Sequence, residues 1–246
     1  MKKKIIKLIF IIIIIICIVL GAFFISGYTL YQDTIKENTI KDTFEEKRAS
    51  DSYVEIEDLP DNFLDAVVAV EDSRYYNHGA VDYISIVRAM FNNVKENEIA
   101  EGGSTITQQV AKNLFYTQKK QLTRKIAEAF TANDLEQQFS KRDILEMYVN
   151  INYYGSGYYG IFSACKGYLK KDPEDMTLAE CALLAGIPNS PNNYSPKNNK
   201  ELSVKRQKVV LDRMLKNNYI TQKEYDSAIE EIDGVKDSKD SKKDKK

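Results

Sequence analysis

The amino-acid sequence predicts a mainly α fold behind one membrane-spanning helix. Apolar residues recur at helical spacing almost throughout residues 55–232, strand-like alternation is nearly absent, and one long apolar run lies near the N-terminus. After MKKKIIK, residues 8–25 (LIFIIIIIICIVLGAFFI) are uncharged and almost wholly apolar. As a helix they reach roughly 27 Å, enough to cross a bilayer core. Apolar character continues to Tyr31, and Tyr28 and Tyr31 stand where interfacial aromatics gather. A cleaved signal peptide would carry a shorter apolar region and a small-x-small cleavage site, which FFISGYTL supplies poorly, so the run reads as an uncleaved anchor. Lys2, Lys3, Lys4 and Lys7 precede it, and the positive-inside tendency puts them in the cytoplasm and everything after Gly27 outside.

The expected organisation is a basic cytoplasmic segment (1–7), an anchor in the cell membrane (8–27), a polar stalk or membrane-proximal segment (28–54), one domain (55–232) and a charged tail (233–246). The tail, DGVKDSKDSKKDKK, has no capacity to bury surface and is expected to be disordered. Of three cysteines, Cys17 lies in the anchor, and Cys165 and Cys181 are too few for a disulfide framework; two buried thiols are expected.

Within the domain, DNFLDAVVAV (61–70) follows Pro60, with Asp61 as the expected N-cap. DYISIVRAMFNNV (82–94) starts at Asp82 and sets Tyr83, Val87, Met90, Phe91 and Val94 on one face. Ile106, Val110 and Leu114 repeat every four residues, as do Leu122, Ile126 and Phe130. Ser140 with Asp143, Thr177 with Glu180 and Thr221 with Glu224 carry the capping-box spacing and mark three further helix starts.

The chemistry concentrates in two places. In AVEDSRYYNH, Glu71 and Asp72 fall at the end of the first domain helix, where the macrodipole disfavours an anion, a setting suited to a general base or acid. His78 is the only histidine, which excludes a His-rich metal site and leaves it an orienting or packing role. In EGGSTITQQVAKN (101–113), a glycine turn enters a helix with Ser104 or Thr105 as cap, and free backbone amides at such a mouth receive phosphate well. Thr107, Gln108, Gln109 and Lys112 follow, with Lys112 one turn beyond Gln108 on the same face. From Gly102 to Ala127 there is no acid, although 36 of 246 residues are acidic, while Lys112, Lys119, Lys120, Arg124 and Lys125 crowd the same window of a chain whose net charge is −1. Glu71 and Glu128 bracket this cationic segment. Transfer of a glycosyl group from a sugar diphosphate needs a base for the acceptor hydroxyl and cations for the departing diphosphate. Hydrolysis of an ordinary glycoside needs instead an acid on the leaving oxygen. The basic run favours transfer.

EDSRYYNH, GGSTITQQ, RKIAE, KRDILEMYVN and RQKVVLDRM stand in the order and approximate spacing of the five motifs of the family 51 peptidoglycan glycosyltransferases, and the chain resembles a monofunctional member over roughly residues 55–220. The resemblance implies a lysozyme-like helical head with a smaller membrane-proximal jaw, polymerising lipid II onto a growing glycan strand by inverting transfer. It implies Glu71 as the base for the acceptor hydroxyl. Glu128 would be the second carboxylate, acting on the diphosphate directly or through Mg2+ or Mn2+, with no organic cofactor. Gly103, Ser104, Thr105, Gln108, Gln109 and Lys112 would line the donor site, with Lys112, Lys120, Arg124, Lys125 and Arg206 near phosphate. Asp72, His78, Glu146 and Asn150 would brace the cleft. Membrane, penicillin-binding transpeptidases and other cell-wall synthesis proteins are the implied partners, and nucleic acid is not.

The chain departs from the family pattern at Tyr75, where phenylalanine is usual, and at Ala80, where glycine is usual, with Gly79 one place early. Lys120 stands for a frequent arginine and loses bidentate phosphate contact. Gln207 stands for the second arginine of the fifth motif. These changes bear on donor affinity rather than reaction type. Two motif matches are decoys. GSGYYG (155–160) follows a helix rather than a strand, which argues against a dinucleotide site. SACK (163–166) lacks any KTG partner in the chain. A lysozyme-like lytic enzyme or a non-catalytic scaffold remain the other function classes; the first would not need Lys112 or Arg124, and the second would need neither glutamate.

Overall fold

The computed structural model describes residues 2–96, 103–116 and 122–243, and among these the protein is helical with a single isolated bridge, Tyr153 to Tyr159. Helix α1 (Lys2–Glu37) is long and apolar enough to cross a membrane, and its apolar side chains, from Ile5 to Ile25, stand exposed. The chain continues through α2 (Ile40–Arg48), α3 (Asp61–Glu71), α4 (Tyr83–Glu96), α5 (Ile106–Phe115), α6 (Leu122–Gln138) and α7 (Lys141–Ile151). The short α8 (Gly160–Ala164) precedes α9 (Leu178–Gly186), α10 (Pro191–Tyr194), α11 (Lys200–Lys216) and α12 (Gln222–Lys243).

The core is built where α3, α9 and α11 pack on one another and α5 packs on α6 and α7. Phe63, Val67 and Val68 of α3, Ile106 and Val110 of α5, Ile144 and Leu145 of α7 and Val210 and Leu211 of α11 are all buried. Each capping box expected from spacing is formed: Ser140 with Asp143, Thr177 with Glu180, and Thr221 with Glu224, the last through Thr221 N–H and Glu224 N–H bonds of 2.7 and 3.3 Å. Cys165 and Cys181 are free, buried thiols, and burial pushes Cys165 up to about 12. The SACK serine and lysine have no active-site setting; Lys166 pairs with Asp172 on the surface.

Two local expectations, the Asp61 cap and the disordered tail, need correction, and two periodic helix faces take directions that spacing leaves open. Asp61 is the first helical residue of α3, not its cap: Pro60 holds that place and no side chain caps the end. The α4 face of Tyr83 and Val87 is turned outward, the two being 74% and 52% exposed, because small Ala89 and the bonded Asp82 form the inner side; Met90, Phe91 and Val94 lie outside the described side chains. Of the Leu122, Ile126, Phe130 stripe of α6, Ile126 and Phe130 meet α1 and Leu122 is exposed, while the core takes Ala127, Thr131 and Leu135. The tail is helical as far as Lys243, its first residue Asp233 being drawn onto α11 by Lys208 at 3.0 Å.

The α1–α6 contact ties the anchor to the domain. The Phe130 ring packs against Phe24, Tyr28 and Tyr31, with centroids 5.7, 5.2 and 5.4 Å away, and Tyr31 donates a hydrogen bond to Asp134. Gly27 allows the close approach: a Cβ there would lie 2.6 Å from Ile126 Cβ and 2.9 Å from the Thr123 carbonyl oxygen. Gly21, with nothing within 4 Å of such an atom, is free of that constraint. Gly27→Val is therefore expected to destabilise the detergent-solubilised chain by about 1–3 kcal/mol, the usual cost of overpacking, and Gly21→Val to leave it unchanged. Thermal unfolding of the two variants beside the parent checks this.

Candidate active site

A cleft of about 490 Å³ opens between the end of α3, the start of α5 and the facing side of α11. Its geometry begins with a helix end. Helix α3 stops at Glu71, and the next residue, Asp72, leaves helical conformation with φ −155° and ψ 72°. The Asp72 carboxylate then joins two elements: Oδ2 accepts the Ile106 N–H at 3.1 Å, and Oδ1 is hydrogen-bonded to His78 Nε2 at 2.7 Å. One of the orphan amides at the N-terminus of α5 is thus satisfied by the residue beside Glu71.

Helix α5 starts with a complete capping box. Thr105 Oγ1 accepts the Gln108 N–H, Gln108 Oε1 accepts the Thr105 N–H at 3.0 Å, and the Thr105 hydroxyl donates to the Ala80 carbonyl at 2.7 Å. The same turn aims Gln109 at Glu71, whose Oε2 accepts from Gln109 Nε2 at 2.9 Å. The other oxygen, Oε1, is buried without a hydrogen bond among the described residues; Arg206 Nη2 stands 3.8 Å away. Glu71 therefore has one oxygen fixed by a hydrogen bond and one with only the more distant Arg206 beside it.

Around it the electrostatics are strongly one-sided. Arg88, Lys112, Lys125, Arg206 and Arg213 line the cleft against the carboxylates of Glu71 and Asp72. Lys125 Nζ donates to Ser104 Oγ at 2.9 Å, linking α6 to the glycine turn. Burial, and next the Lys125 ammonium, hold the Lys112 ammonium below the ordinary lysine value. Arg206 donates to the Gly186 carbonyl and lies 5.4 Å from the Tyr194 ring centroid.

Most residues singled out from sequence meet here: Glu71, Asp72, Gly103, Ser104, Thr105, Gln109, Lys112, Lys125 and Arg206 all line the cleft. The others stand elsewhere. Gln108 is spent on the capping box. Glu128 is fully buried, with Lys125 Nζ at 2.7 Å and Arg124 Nε at 2.8 Å, so Arg124 sits behind the cleft wall with its carboxylate partner. His78 works through Asp72. Glu146 and Asn150 brace the chain entering α3 instead of the cleft: Glu146 accepts from Arg48, Tyr53 and the Ile56 N–H, and Asn150 bonds both the N–H and the carbonyl of Val54. Lys120 lies outside the described residues. Sequence reasoning missed Arg88, Asn189, Tyr194 and Arg213. For Arg213 a signal existed, since it follows Arg206 by seven residues, two turns along the same face of α11.

A second, apolar groove of about 1100 Å³ shares Gly103, Ser104 and Lys125 with the cleft and runs past Tyr83, Ile84, Ile86, Ile126 and Phe130 to Phe24 of α1. It connects the cationic rim to the anchor.

A family model described as Transglycosylase matches residues 36–215. The chain is 39% identical to penicillin-binding protein 1A of Vibrio cholerae over 87% of its own length and 28% of that protein. It is 43% identical to penicillin-binding protein 1A of Aquifex aeolicus over 72% of its length and 24% of that protein. A solved structure of penicillin-binding protein 1A from Haemophilus influenzae aligns with a TM-score of 0.45 and 25% identity, covering 73% of this chain and 17% of that one. The chain spans about a quarter of the length of the curated relatives it matches. With the family model matched over most of its residues, this chain belongs to the transglycosylase family.

Proposed function

We propose that the protein is a peptidoglycan glycosyltransferase that polymerises lipid II into glycan strands by inverting transfer. The observation that carries this is the one Glu71 oxygen that makes no hydrogen bond, with Arg206 3.8 Å away and further cations lining the cleft. Oε1 takes the proton of the acceptor 4-hydroxyl as its oxygen attacks the anomeric carbon of the donor. The bond from that carbon to the diphosphate breaks, and the polyprenyl diphosphate leaves as an anion. Lys112, Lys125 and the Ser104 hydroxyl are placed to hold it, and preorganised cations act most strongly where charge develops in a partly buried site. The leaving group needs no general acid, which fits a cleft with many cations and one carboxylate oxygen outside any hydrogen bond. The apolar groove offers the polyprenyl chain a path from the phosphate-holding rim to the membrane, and α1 keeps the domain beside the lipid substrate.

In this reading the basic N-terminus is cytoplasmic and the cleft faces outward, by the positive-inside tendency. Cross-linking of the product strands would fall to penicillin-binding transpeptidases. Glu128 as arranged does not fit a divalent ion: it is fully buried, two cations occupy it, and it belongs to no cluster of three acidic or histidine ligands among the described residues. Its role is to fix Lys125 and Arg124.

Glu71→Gln is expected to lower polymer formation by about a thousandfold or more, the scale set by losing a general base together with its charge, while lipid II still binds. Labelled lipid II with size separation of the products measures this, and parental turnover in that variant would remove Glu71 as the base. A second outcome concerns pH. The Lys112 charge faces Glu71, Arg124, Lys125 and Glu128. Because its value lies below 10.5, that charge is lost earlier than an ordinary lysine's as pH rises. The KM for lipid II is therefore expected to climb on the alkaline side, and Lys112→Arg, whose guanidinium stays charged, to move the climb to higher pH. KM measured across an alkaline series for both proteins decides it.

A further inference from the structure

We infer that Arg213 is a positioning residue for this reaction, acting through the Val70 carbonyl to hold Glu71 at the mouth of the cleft; the inference rests on the reading of Glu71 as the base. The backbone supplies the reason. Val70 carries one of the last four carbonyls of α3, which have no partner within the helix. It is buried at 5% exposure, so its oxygen has little access to water. Arg213 Nη1 donates to that oxygen at 2.9 Å across 143 residues of sequence, from the last turn of α11. A charged donor on a buried carbonyl is among the stronger hydrogen bonds available to a protein.

The location matters more than the bond. Glu71 is flanked by residues tied on both sides: Val70 to Arg213, and Asp72 to the Ile106 amide and His78. Between two fixed neighbours the Glu71 backbone has little freedom to tilt, and its side chain meets Gln109 on one oxygen only. Arg213 also places a positive charge at the negative end of the α3 dipole, directly beneath the anionic residue that this end disfavours. It shares the cleft wall with Arg206, one residue pointing at the Glu71 carboxylate and the other at the peptide before it. The two guanidiniums sense one another: burial pushes Arg206 down, and Arg213 adds to that push.

The test uses the full chain in detergent with labelled lipid II. Arg213→Met is expected to lower kcat by about 10- to 100-fold, the scale on which supporting residues and ångström-scale misplacement act, with KM changed less than about threefold. Arg213→Lys, which keeps the charge and one donor but not the fork, is expected to recover part of the loss. In a Glu71→Gln background, Arg213→Met should lower the residual rate by less than about threefold, because no base remains to be placed. A parental kcat, a change confined to KM, or a full further loss in that background overturns the positioning role; the KM result would make Arg213 a substrate-holding cation. If the Met variant shows no thermal unfolding transition, Arg213→Lys carries the same test, with reduced kcat in the parent background and none further in Glu71→Gln. Full activity of Glu71→Gln alone would instead overturn the base assignment, and this role with it.

Discussion

Asp72 is where the molecule is tied together. Its carboxylate sits at the point where α3 has ended and α5 has yet to begin, and it accepts the first amide of one while belonging to the end of the other. The two helices are 34 residues apart in sequence at this contact, joined otherwise by α4 and the glycine turn. Removing the tie would leave a buried amide unsatisfied, a cost of about 1–3 kcal/mol for a neutral group, and would free the angle between the helices. That angle sets whether Gln109 reaches Glu71. The Thr105 capping box stabilises the same turn from the other side, so the mouth of α5 is over-determined, as a rigid site requires.

The second constraint is the seat of α1 on α6. Helix α6 carries Lys125, which reaches the cleft, on a face adjoining the one that packs against the anchor helix. A rigid contact at Gly27 and Phe130 therefore places the cationic rim at a defined distance from the apolar part of α1. A flexible leash would confine the domain to the membrane but would not orient it. The outward-facing apolar side of α4 makes sense in the same frame, since Tyr83 and Ile84 border the groove that leads to Phe24. Tyr83, on the periodic face of α4, is here part of a groove wall.

That contrast explains how much was legible beforehand. Helices, capping boxes and the mainly α class depend on local spacing, and they stand as spacing predicts, from Ser140 with Asp143 to Thr221 with Glu224. The acid-free cationic window was legible because composition alone marks it, and Glu71 because it stands at a predicted helix end within EDSRYYNH. Direction was not legible. The Phe130 stripe and the Tyr83 face each have a helical period, yet period cannot say whether a face meets the core, another helix or a groove. Long-range partners were hidden too: Glu146 and Asn150 fit a cleft-bracing role by motif but bond residues 48–56, about ninety positions away. Arg213 is the converse case, a residue inside the RQKVVLDRM run whose bond to the Val70 carbonyl beside Glu71 no spacing could show.

The two glutamates show how identical groups come to differ. Glu128 is buried completely and enclosed by a guanidinium and an ammonium at 2.8 and 2.7 Å. Breaking such a buried pair strands a charge and costs about 3–5 kcal/mol, so it behaves as structure, keeping Lys125 extended toward Ser104. Glu71 is almost as buried, yet its nearest cation stands at 3.8 Å and only one oxygen is hydrogen-bonded. Cations near but not touching can stabilise a negative substrate without closing the carboxylate to a hydroxyl. The difference between contact and near-contact is set by neither glutamate. It is set by which side chains its own helix delivers: Arg124 and Lys125 lie one turn before Glu128 on α6, whereas the cations facing Glu71 must arrive from α5 and α11 and stop short.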